Sequence, residues 1–150
     1  MSQDRKTQQR SKSVEQRPLA SKAILEPRPD PRAIAAGVIE RVLCDAAFAA
    51  AALSAALERH PQLDERQRAF TTELVYTTLR VRKSLEAELL GHAPRGLPKD
   101  TAFLSHLLVA AVQILHLDHR RAPVAVDVAI SHIAALRGPR MAGFANAILR

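Results

Sequence analysis

An all-α domain of six or seven short-to-medium helices, preceded by a basic tail, is the fold this sequence predicts. Three observations carry that expectation. Apolar residues recur at three- and four-residue spacings from about residue 31 onward, the signature of a buried helical face. Prolines, glycines and short acidic residues fall where such faces begin and end. No segment shows the strict alternation of a half-buried strand, and no internal repeat is visible. With 150 residues, 47% of them hydrophobic and 25% charged, the composition is that of an ordinary globular chain able to bury a core.

Residues 1–29 are rich in Gln, Ser, Lys and Arg, and carry seven basic residues against three acidic ones. So little apolar surface cannot offset the entropy of ordering, so this stretch is expected to be a disordered tail. It reads equally as a polyanion-seeking arm or as a solvated leader. The folded domain is expected to span residues 30–150.

Asp30 followed by Pro31 is an N-cap with proline in the first helical turn. Ile34, Val38 and Val42 then repeat every four residues, flanked by Ala35, Ile39 and Leu43. A second helix is expected from Phe48 to Arg59, with Leu53 and Leu57 inward and Pro61 ending it. Asp64 caps a long third segment reaching Leu90, in which Phe70, Leu74, Val81, Leu85 and Leu89 form the stripe. Arg66, Glu73 and Arg80, seven apart, mark its polar side. Gly91 stops it, and residues 91–98 form a loop. Pro98 to Leu117 comes next, with Phe103, Leu107, Ala110, Ile114 and Leu117 in its stripe and Leu104, Leu108, Ala111 and Leu115 widening it. A face that broad places this helix at the centre. A further helix starts near Pro123, carries Val124, Val128 and Ile133, and ends at Gly138; Pro139 opens the last, with Phe144, Ile148 and Leu149. Short connections make neighbouring helices antiparallel.

Composition narrows the function classes. One cysteine, Cys44, excludes an internal disulfide and a cysteine-based zinc finger. Cys44 falls on or beside the apolar stripe of the first helix, so it is expected to be a small core residue. The most apolar run, residues 46–57, is short and mostly alanine, so no spanning helix is expected. The N-terminus lacks the apolar core of a secretory signal. A reduced, cytoplasmic setting without membrane attachment follows as the expectation. The formal charge of +7, from 22 Lys and Arg against 15 Asp and Glu, favours a polyanionic partner, nucleic acid ahead of an anionic lipid surface.

Four strings share a resemblance. They are PRAIAAGVIERVL at 31–43, DERQRAFTTELVYTTLR at 64–80, APVAVDVAI at 122–130 and GFANAILR at 143–150. In this order and spacing they resemble the NusB-like helical superfamily over residues 31–150. That superfamily contains the transcription antitermination factor NusB and the N-terminal domain of the 16S ribosomal RNA cytosine-C5 methyltransferases. The methyltransferase branch looks closer. Its aspartate, arginine and phenylalanine leading into L-V-Y-G-T-L-R are matched by Asp64, Arg68 (or Arg66), Phe70, Leu74, Val75, Tyr76, Thr78, Leu79 and Arg80. Its closing G-F-V-N-A-V-L-R is matched by Gly143, Phe144, Asn146, Ala147, Leu149 and Arg150. Thr77 stands where that branch has glycine, Asp127 replaces an asparagine, Val128 a glutamate and Val112 an aromatic. The relatives continue into a catalytic domain that binds S-adenosylmethionine and uses two cysteines. This chain has no glycine-rich strand–turn–helix string and only Cys44, so as given it is expected to be noncatalytic and to need no cofactor.

The resemblance implies RNA, ribosomal RNA first, as the partner. The antitermination factor touches single-stranded RNA near the start of its first helix. Arg32 aligns there and Arg28 lies just upstream; free helix-terminal amides and flanking guanidiniums suit a phosphate. Arg80, Arg82 and Lys83 form a second candidate, a broad patch rather than one clamp. The five aromatics, Phe48, Phe70, Tyr76, Phe103 and Phe144, all fall on expected apolar faces. Stacking platforms are therefore not expected, and binding should rest on phosphate contacts with steep salt dependence. His116 and His119, with Asp118 between them, lack a third and fourth ligand, so no metal site is expected. His60, His92, His106 and His132 show no constellation, and Asp127 and Glu73 stand alone on helices, giving no support for paired-carboxylate chemistry. Two rival functions remain: an antitermination factor binding leader RNA with a ribosomal protein partner, and a protein–protein module with no RNA role.

Overall fold

The computed structural model describes residues 28–150, apart from the side chain of residue 119. The expected disordered tail therefore lies outside the described residues, except for Arg28 and Pro29. The described residues form six α-helices and no strand: α1 (Pro31–Asp45), α2 (Ala49–Arg59), α3 (Glu65–Gly91), α4 (Thr101–Val112), α5 (Ala122–Arg137) and α6 (Pro139–Leu149). The all-α expectation holds, and α3 runs without a break.

Side-chain caps fix where the helices begin. The Asp30 carboxylate accepts the Arg32 N–H at 2.8 Å, with Pro31 in the first turn of α1. Asp64 and Gln67 exchange hydrogen bonds of 2.7 and 3.0 Å in a full capping box at α3, which satisfies two otherwise orphaned donors. At the other end of the α2–α3 turn, the Arg68 guanidinium donates to the carbonyls of Leu57 and Leu63 at 3.2 and 3.3 Å. It ties the end of α2 to the first turn of α3. Asp100, rather than Pro98, starts the fourth helix by accepting the Phe103 N–H at 3.1 Å.

α4 is central, as its broad apolar face requires. Every residue from Ala102 to Val112 except Leu104 is buried, and it packs against α1, α3, α5 and α6. Phe103 meets Phe144 of α6, ring centres 6.0 Å apart. α5 and α6 form a hairpin across Gly138, whose φ of 82° suits a residue without a Cβ. The fourth segment does not stay α-helical to Leu117. Residues 113–117 widen into a π-helical turn in which the Asp118 N–H reaches the Gln113 carbonyl at 3.2 Å. Such turns re-aim the side chains they carry.

Several burial expectations are corrected. Phe48 lies one residue before α2, and its ring is 85% exposed. Tyr76 is 45% exposed. Val124 and Leu115 face outward, and Ala125, Val126, Ala129 and Ile133 form the inner face of α5 instead. Cys44 is exposed, not a core residue. Cys44 and Phe48 are exposed around the corner where α1 ends at Asp45, whereas Tyr76, Leu115 and Val124 lie on the outward faces of their own segments. Ala46 then turns the chain in the left-handed region at φ 51°, a place usually taken by glycine. Ala46→Gly is therefore expected to raise stability by about 0.5–1 kcal/mol. A urea melt showing no gain would mean that residue 46 is unstrained.

Candidate nucleic-acid interface

The start of α1 is built around Arg32. Its Nε donates to Gln113 Oε1 at 2.8 Å, and its guanidinium lies 5.2 Å from the centre of the Phe70 ring. Nη1 stands 3.6 Å from the Asp30 carboxylate. Gln113 is itself buried and donates to the Val109 carbonyl at 2.7 Å. Arg32, with its side chain only 18% exposed, thus pins α1 to α3 and to the π-helical turn. That differs from a free phosphate ligand. The Arg32 amide at the α1 N-terminus is not open either, because it donates to the Asp30 carboxylate.

A shallow groove opens beside this anchor. Its larger part, 640 Å³, is lined by Arg32, Arg66, Phe70, Glu73 and Arg121 among others. An adjoining part of 250 Å³ brings in Gln113, His116 and Asp118. Arg66 is exposed on the first turns of α3. Arg121 projects from a 3-10 turn (His119–Arg121) ahead of α5, with its Nε 3.4 Å from Asp118. Arg28 is exposed two residues before the Asp30 cap. Sequence reasoning named Arg28 and Arg32 here and missed Arg66 and Arg121. The signal for Arg121 was its place in the basic doublet before Pro123; nothing local marked Arg66 as a neighbour of α1.

The second candidate cluster divides. Arg80 and Lys83, three residues apart, share the exposed face of α3. Arg82 sits half-buried on its flank, with Nε 3.5 Å from Glu86. All three border a 460 Å³ groove between the last turns of α1 and the middle of α3, floored by Val42, Leu43, Leu79 and Val81.

The histidines were expected to form no constellation, yet α4 and α5 bring two of them together. His106 is 9% exposed, and its ring centre lies 5.4 Å from that of His132. His132 Nε2 is 3.9 Å from Asp30, and its Nδ1 is buried without a partner. Burial, then the adjacent His132, push His106 down to about 4, against a smaller opposing pull from Asp30. The residues lie 26 positions apart, so no spacing rule joins them. Elsewhere, a hydrogen bond from Arg137 holds the Asp100 carboxyl below its ordinary range. Arg150 donates to Asp127 at 3.0 Å and to Asn146, linking α5 to the end of α6. Asp127 is thus ion-paired, not isolated. The side chain of His119 lies outside the described residues. Among those described, no group of three or more His, Cys, Asp or Glu is placed to hold a metal ion, and no helix is long and apolar enough to cross a membrane.

No curated protein matches the chain. Among solved structures, a chain in "Crystal Structure of a Plectonemic RNA Supercoil" is similar in fold, with a TM-score of 0.74 and 12% identity, over 80% of this chain and 88% of that one. The resemblance first carried by the four sequence strings is met by the NusB family model, which matches residues 29–150. The fold of helices around a buried α4 and the match over that span lead to one conclusion: the chain belongs to the NusB family.

Proposed function

We propose that this chain is an RNA-binding helical domain with no chemistry of its own, similar in role to the ribosomal RNA-recognition module of the 16S ribosomal RNA cytosine-C5 methyltransferases. The observation that supports it is the convergence of Arg32, Arg66 and Arg121, from three separate elements, on one open groove. Glu73 and Asp118 offset part of that charge, and exposed Arg28 supplies a further cation in the chain just ahead of α1. Arginine suits the role because its planar fork can engage a phosphate through two donors. Arg66, Arg121 and Arg28 are the contacting groups in this reading, and Arg32 positions the surface they share. Arg80 and Lys83 extend it along α3, while Arg82 is held by Glu86.

The test is RNA affinity at two salt concentrations, for a ribosomal RNA fragment and an unrelated single strand. A triple variant, Arg28→Glu/Arg66→Glu/Arg121→Glu, leaves the Arg32 anchor untouched. Loss of three phosphate contacts should flatten the log–log salt dependence by about 2, from about 0.7 per contact on single strands. Preference for the ribosomal fragment would favour the methyltransferase-like role. A large gain on adding a ribosomal protein partner would favour the antitermination role. If the wild type binds neither RNA at low salt, or the triple variant binds as well as wild type, the groove is not an RNA surface.

A further inference from the structure

Tyr76 is exposed on α3 beside the two cations that extend the arginine surface. Tyr76, Arg80 and Lys83 are all exposed and lie four and three residues apart, which stacks them on a single helix face. The opposite face, with Leu74, Val75, Thr78 and Leu85, is buried. Tyr76 is therefore an aromatic ring presented to solvent beside two cations. Next to Arg80 and Lys83 lies the 460 Å³ groove with its apolar floor of Val42, Leu43, Leu79 and Val81. Glu73 is the exposed acid one turn before Tyr76, so the positive end of the stripe runs toward Lys83.

From this juxtaposition we infer that the α3 stripe is a single-stranded RNA site, in which one unpaired base stacks on Tyr76 and the adjoining phosphates meet Arg80 and Lys83. Two features together fit that occupant. An exposed ring suits a base face whatever its sequence. Two cations at one-turn spacing suit consecutive phosphates of an extended strand. Duplex RNA offers no free base face, so it would use the cations alone. Because Tyr76 is exposed rather than on a buried face, a stacked base joins the phosphate contacts on this surface. The inference rests on the RNA-binding reading above and adds the form of RNA and the atoms that receive it.

The chain supplies its own probe. Tyr76 is the single tyrosine, and there is no tryptophan, so intrinsic emission excited at tyrosine wavelengths reports this ring alone. A short single-stranded oligonucleotide should quench that emission on binding, and a duplex of the same length should not. Tyr76→Ala should weaken single-strand binding about 5- to 100-fold, as followed by anisotropy of labelled RNA. Tyr76→Phe should bind as wild type does, since stacking needs the ring and not the hydroxyl. Arg80→Ala/Lys83→Ala should weaken binding with a shallower salt dependence. Circular dichroism of each variant checks that the fold is kept. RNA binding with unchanged tyrosine emission and undiminished affinity in Tyr76→Ala would overturn this site while leaving the RNA-binding role standing. No RNA binding by wild type would overturn both.

Discussion

Arg32→Ala is expected to lower the stability of the folded domain by about 2–4 kcal/mol, more than most exposed arginines could. An exposed arginine in a surface ion pair contributes about 0–1 kcal/mol. Arg32 is different because three partners from different parts of the chain converge on it: Asp30 at the α1 cap, Phe70 on α3 and Gln113 on the π-helical turn. Removing the guanidinium leaves the Oε1 of buried Gln113 without its donor, which costs about 1–3 kcal/mol. The lost cation–π contact adds about 0.5–1 kcal/mol. Urea unfolding should show a lower midpoint with an unchanged slope, as expected when the native state alone is weakened. Arg32→Lys should recover only part of the loss, because an ammonium cannot present a planar face to Phe70 while donating to Gln113. A loss under about 0.5 kcal/mol for Arg32→Ala would show that the three contacts do not hold the helices together. The functional consequence is direct. Weakened RNA binding in an Arg32 variant is not by itself proof of contact, so charge reversals at Arg28, Arg66 and Arg121 are the cleaner probes of the groove.

Local signals were legible where the physics is local. The Asp30 and Asp64 caps and the prolines opening α1, α5 and α6 depend on neighbours a few residues away, and each stands where the sequence placed it, unlike Pro98, which lies ahead of the Asp100 cap. Burial failed at the edges of elements. Phe48 and Cys44 carry apolar side chains beside an apolar run, but among the described residues both are exposed around the α1–α2 corner. Periodicity states which face a helix would bury, not how far its neighbours extend. Tyr76 shows a different limit on α3: Leu74, Val75, Thr77 and Thr78 around it are buried, and the tyrosine falls on the outer face of the same helix.

The candidate site was legible only in outline. Arg32 was found through the cap and the resemblance, but its inward engagement depends on Gln113, 81 positions away. That glutamine sits where α4 loosens into a π-helical turn, and the sequence from 113 to 117 reads as ordinary helix. Arg66 and Arg121 join Arg32 only once α3 and the turn before α5 are folded together. Charge counts point to a polyanion, whereas the location of the groove is a property of the packing. The split of Arg80 and Lys83 from Arg82 follows from helix geometry and was within reach, since residues three apart share a face and residues two apart do not.

The His106–His132 pair should make the fold acid-sensitive well above the range where its carboxylates titrate. His106 of α4 is buried, and burial together with His132 pushes it down to about 4 from an ordinary 6.5. The unfolded chain therefore takes up a proton at His106 before the folded chain does, and acid favours unfolding. Stability from this group is complete above about pH 6.5 and is lost as pH falls toward and through 4. A shift of this size corresponds to about 3 kcal/mol across the window. Asp100 is held below its ordinary value of 3.8, so its own contribution is lost in the same direction at lower pH, largely outside this range. Urea midpoints measured between pH 7 and pH 4.5 should fall steadily for the wild type. In His106→Leu the buried site cannot take a proton, so the slope over that window should flatten even if the absolute stability differs. His132→Leu should lessen the steepness, because one of the two causes of the depressed His106 is removed while its burial stays. Equal slopes in wild type and His106→Leu would show that His106 titrates freely and that water reaches it in the folded state. Because Asp30 faces His132 and also caps α1 beside Arg32, acid strain at this pair bears on the same junction that anchors the arginine groove.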